Sequence, residues 1–227
     1  MPDIEILLPV LVVGGIVLLI VVAILGNMQY EKQRREGIQK VADELGLPFF
    51  PNGDPTLIAQ LGMFNLFSQG RSRKIFNMLH GDTEEIGLGI FDYQFTTGSG
   101  KNSNTWKQTV VYFNSPNLNL PQFAMRPQSF FHKIGKMFGY QDIDFDTHPV
   151  FSQNFILQGA NEASVRALFT PELLTFFEGK TGISLEGQGA HLVFFRHNSR
   201  TKPDQLRDLM NEGFTVFKHL SSAEPPA

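Results

Sequence analysis

Four residues in this 227-residue chain have the types and spacing for chemistry: Asp142, Asp144, Asp146 and His148. On a strand, alternate side chains share a face, so three carboxylates and an imidazole would line one side while Ile143, Phe145 and Thr147 line the other. Such a donor set suits a hard or borderline divalent cation and, with a bound water, metal-assisted hydrolysis. Two features oppose this. Strand neighbours two apart lie about 7 Å from one another, too far for all four to reach one ion. The calcium-loop pattern also fails, with Thr147 where glycine is needed and Gln153 at the closing position. The competing reading is a charged edge strand that resists edge-to-edge pairing.

Other motifs fall short. Gly98-Ser99-Gly100-Lys101 has Phe95 where a phosphate-binding loop needs its first glycine, and Asn102 follows the lysine. The segment after it reads as a strand, so no helix N-terminus is offered to an anion. None of the six histidines sits four residues from another, and no Gly-x-Ser-x-Gly elbow exists. With no cysteine there is no thiolate site and no disulfide. No catalytic residue is therefore assigned, no cofactor is expected, and a binding role is favoured over an enzyme.

A different kind of candidate lies at Phe130, Phe131, Ile134, Met137 and Phe138, which repeat at helical spacing with His132, Lys133 and Lys136 around them. Such a segment either faces a core or rests on anionic headgroups through Phe130, Phe131, Lys133 and Lys136. The 22 phenylalanines follow apolar periodicity and are not interleaved with bases, so they read as core and not as a base-stacking surface. A net charge of −3 likewise gives nucleic acid no reason to bind.

Where any such site would work is set by the start of the chain. Ile6 to Gly26 is an uncharged run containing sixteen Ile, Leu or Val residues. Twenty-one residues at about 1.5 Å each make a helix of roughly 32 Å, enough to cross a hydrocarbon core. A cleaved signal would want basic residues in front and small residues at its end; this run has Asp3 and Glu5 before it and Leu25-Gly26-Asn27-Met28 after it. Lys32, Arg34, Arg35 and Lys40 follow the run and no base precedes it, which predicts the N-terminus outside and the bulk of the chain in the cytoplasm.

The elements behind the anchor then follow. Residues 1–5 form a short tail, 6–26 the span and 27–46 a helical stalk. Ile38, Val41, Ala42 and Leu45 give the stalk a narrow stripe that needs a partner, and the domain itself is favoured over a second chain. Residues 47–220 form one α+β domain with a largely antiparallel sheet, and 221–227 a frayed end. Predicted strands cover Ile75–Leu79, Glu85–Thr96, Trp106–Asn114, Ser152–Leu157, Ile183–Leu185 and Leu192–Arg196. Predicted helices follow Asp54, Asn161, Thr170 and Asp204, and Ser115–Gln128 reads as extended.

Leu120-Pro121-Gln122-Phe123-Ala124-Met125-Arg126-Pro127, the stretch from Asp142 to Ser152 and Val165–Leu174 together resemble a group of uncharacterised bacterial proteins that carry an N-terminal membrane helix and a cytoplasmic domain. The resemblance implies a bacterial single-pass inner-membrane protein and assigns no catalytic residue. The expectation is therefore a membrane-anchored binding domain with the lipid bilayer and a protein as partners. The alternatives are a divalent-metal hydrolase at the Asp/His cluster and a structural subunit of an envelope complex.

Overall fold

A computed structural model of the chain describes residues 4–130 and 140–222, with side chains from 12 to 129 and from 140 to 222. Helix α1 runs unbroken from Ile4 to Leu45, so anchor and stalk are one rod. It ends at Gly46, whose φ of 68° lies in the left-handed region that glycine enters without a Cβ clash. From Val12 to Leu25 the large apolar side chains are 44% to 70% exposed. Among the described residues, no part of the domain covers them, and this is the one helix long and apolar enough to cross a membrane.

Behind the helix stands an eight-stranded antiparallel sheet in the order β1-β2-β3-β4-β8-β7-β5-β6. The strands are β1 (Phe49–Phe50), β2 (Arg71–Asp82), β3 (Gly87–Thr97), β4 (Asn104–Asn114), β5 (Leu120–Pro127), β6 (Phe155–Gly159), β7 (Ile183–Gly189) and β8 (His191–Arg196). Pleating sends alternate residues to opposite faces, and both faces are apolar. Leu88, Ile90, Val111, Phe113, Leu192 and Phe194 face the end of α1, the last helix α7 (Leu206–Ser221) and the helices α4 (Pro149–Asn154), α5 (Glu162–Leu168) and α6 (Pro171–Glu178). Phe91, Tyr93, Phe95, Val110, Tyr112, Val193 and Phe195 face the short helices α2 (Pro55–Gln60) and α3 (Asn65–Ser68). The α+β class with a mainly antiparallel sheet is as expected.

Local chemistry explains most helix starts. The side chains of Asp54, Asn161 and Thr170 each accept a backbone N–H of the first turn. The stalk stripe packs on the domain, with Ile38 and Ala42 buried in its core.

Two expectations need correction and one is sharpened. Residues 149–154 are helical and the strand begins only at Phe155, because Pro149 is well placed in a first helical turn. The proline-bearing segment 120–127 is extended as expected, and is more specifically an interior strand paired on both sides, with Pro121 in a register shift and Pro127 at its end. Residues 141–148 form no strand. The helix expected over 130–138 lies outside the described residues, apart from the turn Gln128–Phe130.

Candidate functional site

The Asp/His cluster does not assemble a ligand shell. Without a strand there, alternation no longer aligns its side chains, and local structure occupies several of them. Asp142 Oδ1 accepts the Leu157 N–H at 2.8 Å, and burial raises its pKa despite that bond. The Asp144 carbonyl accepts from Arg166, and His148 occupies the cap position of α4 with its Nδ1 3.0 Å from Thr147 Oγ1. Among the described residues no three His, Asp or Glu side chains gather closely enough to hold an ion. Of the proposed headgroup contacts, Phe130 closes a 3-10 turn, while Phe131, Lys133 and Lys136 lie outside the described residues.

A site that the sequence reading missed fastens the rod to the sheet. Arg34 lies four residues before Ile38 on the same helix face, and Asp92 follows Leu88 and Ile90 on the same face of β3. They meet as a fork-to-carboxylate pair: Nε donates to Oδ2 at 2.7 Å and Nη2 to Oδ1 at 2.6 Å. Asn77 and Thr109 also donate to Asp92, at 3.1 and 3.0 Å, and Arg34 Nη1 donates to the Thr201 carbonyl at 2.7 Å. Asn77 reaches in from a register shift of β2, with φ at 50°. With side-chain exposures of 3% and 0%, both ions are out of water, so they depend on one another and on these polar partners.

One turn nearer the span, Glu31 accepts from Arg200 at 2.7 Å and Lys107 at 3.3 Å, and the Arg200 guanidinium lies over the Tyr30 ring. Burial alone would raise the Glu31 pKa; the hydrogen bonds and charges of Arg200 and Lys107 outweigh it and hold the carboxyl below its ordinary value.

At the far end of the sheet, a cleft of about 460 Å³ opens between α2, β1 and the ends of β2, β3 and β4. Leu57, Met78 and Tyr112 form its apolar part, and Asp54, His80 and Asp82 its polar rim. His80 Nε2 lies 3.5 Å from Asp82, while its buried Nδ1 has no hydrogen-bond partner. The Tyr112 hydroxyl pairs with His191 Nδ1 at 2.8 Å. Burial pushes the tyrosine up to about 12 and keeps the His191 pKa below its ordinary value. These groups could orient a bound side chain.

No protein-family profile matches the sequence, and no curated protein matches it. Among solved structures, the mycobacterial trehalose monomycolate transport factor A, TtfA, superposes with a TM-score of 0.61 at 12% identity, over 87% of this chain and 97% of that one. At that identity the likeness shows a shared fold: the chain is similar to that transport factor in the path of its backbone.

Proposed function

We propose that this chain is a single-pass subunit of the bacterial inner membrane, with its N-terminus outside, that holds a cytoplasmic binding domain at a set distance from the bilayer for a protein partner of an envelope-lipid transport assembly. One observation carries the reading: the apolar rod continues without a break into a helix that is clamped on the sheet through Arg34 and Asp92. A loosely tethered enzyme has no need for that coupling, whereas a subunit that must present a surface in register with a membrane partner does. The shared fold with a trehalose monomycolate transport factor supports the same setting.

Within this reading the domain acts by binding, and the cleft beside α2 takes a segment of the partner. Its apolar floor and acid-bearing rim suit an apolar side chain next to a basic one.

A photo-crosslinking residue at Gln60, beside the cleft, tests the proposal in intact membranes against the same residue at Asn211 on α7. A discrete adduct from position 60 and none from 211 is expected. No adduct from position 60, or equal labelling from both, would refute the cleft as the docking surface. Orientation is tested separately with a C-terminal fusion to an export-dependent phosphatase, which should be inactive because it stays in the cytoplasm; an active fusion would refute the orientation.

A further inference from the structure

The end of the sheet nearest the span carries a charge pattern that the clamp does not use. The rod and β3 run alongside one another. Glu31 meets Lys107, which pairs with Gln94; Arg34 meets Asp92; and Leu47 lies against Gly81, which pairs with Leu88. Five helical residues back from Glu31 to Gly26 cover about 8 Å, and three strand residues from Gln94 to Thr97 about 10 Å. The β3–β4 connection, residues 98–103, therefore reaches about the level where the apolar run ends.

Residues 70–76, 95–108 and 197–200, which build this end, contain Arg71, Arg73, Lys74, Lys101, Lys107 and Arg200 and no aspartate or glutamate, in a chain that is acidic overall. Lys107 and Arg200 are matched by Glu31. Arg71, Arg73, Lys74 and Lys101, together with Arg35 on the rod, have no carboxylate partner among the described residues. Arg71 and Arg73 instead donate to the carbonyls of Gly98 and Phe67. Between the rod and β2 lies a groove of about 210 Å³, lined by Arg35, Lys74 and Lys107 with Glu31 as its single acid. An exposed cluster of unmatched bases costs nothing in water, but at this height it faces a surface that can be anionic.

We propose that this groove and the basic β3–β4 end bind the phosphodiester headgroups of anionic phospholipids, so that the domain rests on the membrane that anchors it. The inference relies on the anchoring part of the reading above and is independent of the cleft.

The chain has no cysteine, so Ser99→Cys at the exposed connection accepts a single fluorescent label. The full chain goes into lipid nanodiscs of phosphatidylcholine, alone or mixed with phosphatidylglycerol. Both carry the same fraction of headgroup-nitroxide lipid as a quencher. Incorporation into the discs checks the anchor separately. Stronger quenching is expected in the anionic discs, weakened by salt. It should be lost in Arg71→Gln/Lys74→Gln/Lys101→Gln and kept in the charge-preserving Arg71→Lys/Lys74→Arg/Lys101→Arg. Equal quenching in both discs, or an unchanged response in the glutamine variant, would overturn the proposal. So would reversal by inorganic phosphate beyond that given by chloride at equal ionic strength, which would assign the groove to a free anion.

Discussion

The two ends of the sheet are built from the same strands and differ in almost everything else. Near the span, β2, the β3–β4 connection and β4 carry bases, and the rod is fastened there by ions whose partners are all within the chain. At the far end the same strands border an open cleft with acids on its rim and a buried histidine nitrogen left unpartnered. Asn77 Oδ1 beside the clamp is buried without a partner too, so the contrast lies in access: a network closed to water specifies one arrangement of the parts it joins, whereas an open one leaves its polar groups within reach.

The most damaging way to break this contrast is Arg34→Ala, which leaves Asp92 charged, buried and unpaired. A loss of about 3–5 kcal/mol is expected, read by urea unfolding of the full chain in detergent micelles. Replacing the pair together by Arg34→Met/Asp92→Leu should recover much of that loss; a double variant as unstable as the single one would contradict the ion-pair account. A smaller loss of about 1 kcal/mol is expected for Tyr112→Phe, which removes the hydroxyl bonded to His191. The cap variant Asp54→Ala should cost a similar ~1 kcal/mol and loosen only α2 at the cleft.

The ends also differ in their response to acid. His191 binds its proton less readily folded than unfolded. Its contribution is therefore complete above its ordinary pKa of 6.5 and is lost as the pH falls through the lower folded value. Glu31 is held below its ordinary 4.5, so its pairing is complete above that pH and fails only in stronger acid. Stability measured against pH should fall first by a step that His191→Gln abolishes and later by one that Glu31→Gln abolishes. The smallest effect belongs to the glutamine variant at the basic end: its stability should stay within about 0.5 kcal/mol of the parent, because exposed unpaired bases do little for the fold.

Much of the fold was legible because its signals are local. Thr170 before Pro171, Asn161 before Glu162 and the polar stretch between Thr97 and Trp106 each state a start or a turn within a few residues. The stalk stripe at Ile38 and Ala42 announced that something must cover it. The clamp was not legible in the same way. Arg34 read as one more base after a membrane span, and Asp92 drew no reading of its own within the predicted strand Glu85–Thr96. They lie 58 residues apart, and only the packing of the rod across β3 makes them partners. One usable signal was present: Asp92 breaks the apolar alternation of Leu88 and Ile90 on a strand otherwise rich in large rings. The strand expected through the Asp/His cluster failed for the opposite reason. Its spacing suggested a strand, and Pro149 should have warned that a helix follows His148.

A continuous helix seated on a sheet through Arg34, Ile38 and Ala42 transmits azimuth as well as height. Each residue turns the helix by about 100°, so whichever face of the apolar run meets a neighbour is geared to the direction in which the cleft points. One alanine inserted between Gly26 and Tyr30 would swing the domain about a quarter-turn around the membrane normal while lifting it by only about 1.5 Å. A complex assembled through both the bilayer and the cleft should therefore tolerate a full-turn insertion far better than a single-residue one.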